Sequence, residues 1–147
     1  MKKTSTLISL LLAFCLLCTV LTGCGGTAKA EIIRAEDGLV VFKITEKMDN
    51  ATVIDALNYL KQNGKLTFTS ASSQWGEYIT SVNGVSEFSG ANGGKSWSIY
   101  SNDTDGSSTE FGSYTFDGAV FGLTANGAST QLVKEGCTYI LSLESWS

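Results

Sequence analysis

The chain reads as an α+β domain in which one helix packs on a mainly antiparallel sheet. Three observations predict this: an apolar alternation broken by a glycine turn near the start, a single well-capped helical segment, and a succession of β-prone runs separated by Gly, Asn, Asp and Ser clusters. Hairpin, then helix, then strands is the order of a β-grasp-like (ubiquitin-like) domain. A β-sandwich is the alternative, and the capped helix argues against it.

The hairpin comes first. Ile32 and Ile33, the turn-like Ala35-Glu36-Asp37-Gly38, and Leu39 to Thr45 place Val40, Phe42 and Ile44 on one face of the second strand. The helix is expected over about Ala51 to Asn63. Thr52-Val53-Ile54-Asp55 has the Ser/Thr-x-x-Asp/Glu form that satisfies free N–H groups at a helix start. Val53, Ile54, Leu57 and Leu60 recur at helical spacing, and Asn63-Gly64 supplies residues that tolerate a left-handed stop. Further strands are expected at 66–70, 78–83, 96–101, 113–116, 120–124 and 138–143. Between them lie turn clusters such as Asn83-Gly84, Gly90 to Gly94, Asn102 to Gly106 and Asn126-Gly127. No repeat with a period of 20 to 50 residues is visible, which argues against a solenoid or propeller. The chain has no proline, so strand edges need charge, glycine bulges or a partner for protection.

Ahead of this domain stands an export signal. Lys2 and Lys3 precede a 15-residue apolar run from Leu7 to Leu21, short for a membrane span and apt for a secretory leader. The run closes on Leu21-Thr22-Gly23-Cys24, which resembles the bacterial lipobox, so residues 1–23 are expected to be removed and Cys24 to carry a diacylglycerol. Two acyl chains, at roughly 0.8 kcal/mol per buried methylene, hold a protein stably where one is marginal. The expected product is anchored to the outer face of the cytoplasmic membrane, with residues 24–30 as lipidated cysteine and short tether and residues 31–147 as the domain. Loss of the leader removes Cys15 and Cys18, and acylation uses Cys24, so Cys137 is the remaining thiol and no intramolecular disulfide is expected. Cys137 falls in the alternation Cys137, Tyr139, Leu141, Leu143, the pattern of a small buried hydrophobe on a strand.

Charge and composition narrow the function. Without Lys2 and Lys3, fourteen acidic residues face eight basic ones, which disfavours nucleic acid as a partner. There is no histidine in the whole chain. Its absence excludes Ser-His and Cys-His nucleophile schemes and the commonest metal ligand. The acids are scattered at turns and ends, and no carboxylate pair for hydrolysis can be picked out, so the chain is read as a binding protein and not an enzyme. Asn102-Asp103-Thr104-Asp105-Gly106 is like the opening of a calcium loop, but Ser113 or Tyr114 stands where the closing glutamate belongs; an ordinary acidic turn is expected, and no metal.

Three segments taken together are similar to a known family: Ala51 to Leu57, Gly76 to Val85, and Trp97-Ser98-Ile99-Tyr100-Ser101-Asn102. The chain resembles the transcobalamin C-terminal-like (β domain) family over roughly residues 39 to 144, with Leu132 to Tyr139 standing where that family has a glycine turn before its last strand. The usual third segment has the form Gly-Trp-x-Tyr-x-x-Asn-Gly; here Gly94-Lys95-Ser96 precedes Trp97 and Asp103 follows Asn102. Residues 105–126 are longer and richer in aromatics than the family's loop.

The resemblance implies a ligand of the cobalamin or corrinoid class, captured for uptake. In the animal carriers the corrinoid lies between a helical barrel and this β domain, and a histidine of the barrel can reach cobalt. This chain has neither, so it supplies half of such a site, completed by a second copy or another protein. Trp75, Tyr78, Trp97 and Tyr100 are the candidate ligand-binding rings, and Asn83, Asn92 and Asn102 could pair with amides on a corrinoid rim. Strand alternation puts Trp97, Ile99 and Ser101 on one face and Ser98, Tyr100 and Asn102 on the other, so both rings of that strand cannot line one flat site. Trp97 on the apolar side is expected in the core. Trp75, in the loop Ser72 to Gly76, is the best exposed candidate, and Trp146 serves either as a packing lid or as a contact to a partner. A protein- or glycan-interaction module for adhesion or assembly, with no small ligand, is the alternative function.

Overall fold

A computed structural model describes residues 27–147, as eleven elements in chain order: β1 (Ala28–Glu36), β2 (Leu39–Lys47), α1 (Val53–Gln62), β3 (Phe68–Ser73), β4 (Gly76–Val82), β5 (Val85–Ser86), β6 (Phe88–Gly90), β7 (Gly93–Ser101), β8 (Ser107–Phe116), β9 (Ala119–Thr124) and β10 (Thr138–Trp146). The expected leader and the expected acylation site, Cys24, lie outside the described residues. Among the described residues the fold is mostly antiparallel sheet with one α helix.

β1 begins earlier than the expected domain start at Glu31. Ala28 and Ala30 are buried against the core, so residues 28–30 of the expected tether belong to the sheet. β1 and β2 pair antiparallel across the Asp37-Gly38 turn, with Glu36 opposite Leu39 and register shifts between Ile32 and Arg34 and between Lys29 and Ala30. α1 starts at the expected place for the expected reason: the Asp55 carboxylate accepts both the backbone N–H of Thr52 (2.8 Å) and its hydroxyl (3.0 Å). Two further N–H groups of the first turn, Val53 and Ile54, donate to the carbonyls of Gln131 and Ala128, both at 3.0 Å. The helix start therefore pins the long connection between β9 and β10. Its buried face is Val53, Ala56, Leu57 and Leu60.

The large sheet has the order β1-β2-β10-β7-β9-β8, and a smaller one has the order β3-β4-β5. β10 runs along one edge of β7 from Gly94 to Ser101. The other edge is shared: β6 pairs with Gly93 to Lys95, and β9 pairs with Tyr100 and Ser101. The turns Asn83-Gly84 and Asp117-Gly118 carry both central residues in the left-handed region, φ 49° and 81° and φ 47° and 79°. That is the geometry matched to the twist of a tight hairpin.

Each face of the large sheet has its own core. On the first face, Val40, Phe42, Ile44, Trp97, Ile99, Tyr139 and Leu141 meet α1 and the inner side of the small sheet, where Leu66, Phe68, Ile79 and Val82 are buried. Phe42 and Tyr139 stack at 5.8 Å. On the second face, Val41, Tyr100 and Ile140 are buried with Phe116 and Phe121 of the β8–β9 hairpin, which bends back over the sheet. Its tip reaches β1: the Arg34 guanidinium lies 4.7 Å from the Phe116 ring centre, and Asp117 Oδ1 is 3.4 Å from Arg34. Residues 105–126 are thus mainly a hairpin that closes one half of the second face. Each fully buried Val, Leu, Ile or Phe in these layers stabilises the fold by about 1.5–3 kcal/mol.

Candidate functional site

The seven expected contact residues are distributed over the molecule and not gathered on one surface; one of them, Asn92, is exposed in the turn between β6 and β7. Trp75 occupies the two-residue turn between β3 and β4, where Ser73 pairs with Gly76, and it is 79% exposed. The turn is held from three sides. The Ser73 hydroxyl donates to the Gly76 carbonyl (2.8 Å) and accepts the Trp75 N–H (3.1 Å), while the Glu77 N–H donates to Ser129 Oγ (2.8 Å) in the loop after β9. Tyr78 lies opposite Ala71, 43% exposed, on the outward side of the same hairpin. Trp75 and Tyr78, three residues apart around one tip, are the expected pair that the fold leaves together in solvent.

The other four are committed elsewhere. Asn83 sits at the far end of β4, in the left-handed turn to β5, and its Oδ1 accepts the Thr67 N–H (2.9 Å), so its carbonyl closes the hairpin. Trp97 is buried at 9% exposure in the first core, its indole N–H donating to the Val85 carbonyl (3.2 Å). Tyr100 is on the opposite face, as alternation requires, yet it is 8% exposed because the β8–β9 hairpin covers it, with the Tyr114 ring 5.5 Å away. Asn102 is exposed, but its Oδ1 accepts the Thr138 N–H (2.8 Å) and steadies the meeting of β7 and β10. It borders an open, hydroxyl-rich depression of about 320 Å³ with Thr104, Ser107, Ser108 and Thr109. A second open depression of about 380 Å³ lies between α1 and the small sheet, under Trp75's hairpin, lined by Asn58, Lys61 and Glu77 among others.

The Asn102 to Gly106 segment proves to be a polar knot. Asp103 is buried, its Oδ1 accepting the Asp105 N–H (3.1 Å), and the Ser107 hydroxyl reaches the carbonyls of Ser101 (2.9 Å) and Asp103 (2.7 Å). The cation there is the ammonium of Lys134, 2.9 Å from Asp105 Oδ2 and 3.9 Å from Asp103 Oδ1. Asp105, with Asp103 behind it, raises the Lys134 pKa above its ordinary value. Nearby, burial pushes the half-buried Cys137 thiol up, away from the thiolate that reactivity needs. Among the described residues no group of three or more Cys, Asp or Glu side chains is placed to hold a metal.

Sequence reasoning did not find the position of Trp146. Its indole lies across Gly94 on the second face of the large sheet: a Cβ at Gly94 would come within 2.7 Å of Cζ2 and 3.0 Å of Cε2. The glycine pair Gly93-Gly94 was the available signal, since a missing side chain on a strand marks a close approach.

No protein-family model matches the chain, and comparison with curated proteins finds no match.

Proposed function

We propose that the chain is a lipid-anchored, extracytoplasmic binding module whose ligand contact is the tip of the β3–β4 hairpin, with Trp75 and Tyr78 as the contact residues. One observation carries this: an indole 79% exposed on a turn whose backbone is fixed by Ser73 and Ser129. A large apolar ring held out in water on an ordered turn loses little entropy on binding and has much area to bury. The lipobox at Cys24 supports display at the outer face of the cytoplasmic membrane. The resemblance to the transcobalamin C-terminal-like family supports a cobalamin or other corrinoid ligand, stacked on the tip and enclosed by a second protein. A helix following the leading hairpin onto one sheet face supports the β-grasp-like assignment. We read the module as a binding protein and not an enzyme.

A protein or glycan contact without a small ligand is the second reading. It is favoured by the dispersal of Asn83, Trp97, Tyr100 and Asn102, which leaves a corrinoid only the tip to grip. The test is calorimetric titration of cyanocobalamin and cobinamide into residues 27–147, which contain both cores, alongside Trp75→Ala and Tyr78→Ala. Micromolar binding weakened about tenfold by either substitution is the expected result. Absence of heat at millimolar ligand contradicts the corrinoid reading.

A further inference from the structure

The β8–β9 hairpin covers only half of the second sheet face. It closes the row Val41, Ile140, Tyr100, and the rows toward the other end are Ser142 with Ser98, Glu144 with Ser96, and Trp146 with Gly94. Along those rows the side chains are small hydroxyls, the Glu144 carboxylate and the Trp146 indole, with Leu39 beside Ser142 and Glu36 beyond Leu39 at the β1 end. The indole is seated on Gly94 by one side and remains 47% exposed. Ser142 and Tyr100 form the buried floor, and the Ser142 hydroxyl is hydrogen-bonded to Glu144 Oε1. Burial pushes the Tyr100 hydroxyl pKa up, with the Glu144 charge adding to the rise and the Ser98 side chain opposing it.

We propose that this open half-face binds a neutral glycan, with one pyranose ring stacked on Trp146 and its hydroxyls held by Glu144, Ser96 and Ser98. The ring stack follows from the electron-rich face of the indole, which attracts the partly positive C–H groups of a sugar's apolar face. The carboxylate and serine oxygens accept hydrogen bonds from sugar hydroxyls, and hydrogen bonds to a charged acceptor are the stronger kind. Charge decides against an anionic ligand: these rows carry Glu144 and Glu36, Lys95 alternates to the opposite face with Trp97, and Arg34, one row away on the same face, is paired with Glu36 and Asp117. A peptide adding as a strand needs a sheet edge, whereas this surface offers side chains on a sheet face. The site is separate from Trp75 and does not depend on the ligand there.

The test is fluorescence titration of residues 27–147 with cellohexaose and chitohexaose, both neutral and β-linked, and with hexagalacturonate as their anionic counterpart. Binding of at least one neutral oligomer at millimolar concentration or below is expected, with hexagalacturonate weaker. Trp146→Ala should weaken it about tenfold and Glu144→Gln several-fold. Trp146→Phe retains a ring and should keep part of the affinity, and thermal melts check that each variant is folded. No binding of either neutral oligomer, equal binding by folded Trp146→Ala, or preference for hexagalacturonate would overturn the proposal.

Discussion

Trp75 and Trp97 place the same side chain in opposite environments, and their substitutions should separate function from stability. Trp97→Ala removes a core ring and the indole hydrogen bond to Val85, so a loss of about 3 kcal/mol is expected in urea denaturation. Trp75→Ala should stay within about 0.5 kcal/mol of the parent, because the ring contributes little to packing. Tyr139 gives a pH test. Burial holds its hydroxyl proton to about pH 12, against 10 for an unperturbed tyrosine. The folded state thus binds the proton more tightly than the unfolded chain. Its contribution is whole below pH 10 and is lost as pH rises from 10 to 12, a fall of roughly 1–2 kcal/mol. Tyr139→Phe should flatten that part of the alkaline decline in pH-dependent melts, while costing about 1 kcal/mol at neutral pH, where the Lys134 N–H loses its acceptor. Alternation along β7 correctly separated Trp97 from Tyr100. It could not show that Tyr100 would be covered, because the covering residues come from the next hairpin, whose path over the sheet no local alternation displays.

Local signals were the legible ones at the level of elements. α1 was readable because its start needs only Thr52 and Asp55, three residues apart, and Asp55→Ala should cost about 1 kcal/mol by thermal melt. β5 and β6 were not readable, since strands as short as Val85–Ser86 and Phe88–Gly90 have too few residues for alternation and exist through pairing with β4 and β7. The β8–β9 hairpin was half readable: strands were expected at 113–116 and 120–124, but the first half of β8 and the fold of the pair over the sheet were not. Its register breaks between Ser108 and Ser113, which leaves Phe111 in solvent and sends Phe116 and Phe121 inward. One clue was present: Val40-Val41-Phe42 is a continuous apolar run, the mark of a strand buried on both faces. Phe121→Ala should therefore cost about 3 kcal/mol and increase hydrogen exchange at residues 107–124 before the rest of the sheet opens.

For the whole molecule, two cores on either side of one sheet hold the domain together, and the proposed ligand surfaces lie outside both. The candidate site was legible only in part. Exposure of Trp75 followed from its place in a Ser- and Gly-bounded loop, whereas the commitments of Asn83 and Asn102 to the Thr67 and Thr138 N–H groups depend on pairings no linear motif displays. Anchoring is testable separately: Cys24→Ser should abolish the diacylglycerol mass on the mature chain and release the protein from the membrane fraction. The central proposal, a ligand contact at the β3–β4 tip, is tested most directly through the three tryptophans, at positions 75, 97 and 146. Each indole N–H reports one environment in a single nitrogen-15 correlation spectrum: tip, core and sheet face. On titration with cyanocobalamin the Trp75 signal should shift while those of Trp97 and Trp146 stay in place; a Trp75 signal that does not move at saturating corrinoid, or that moves less than the other two, would contradict it.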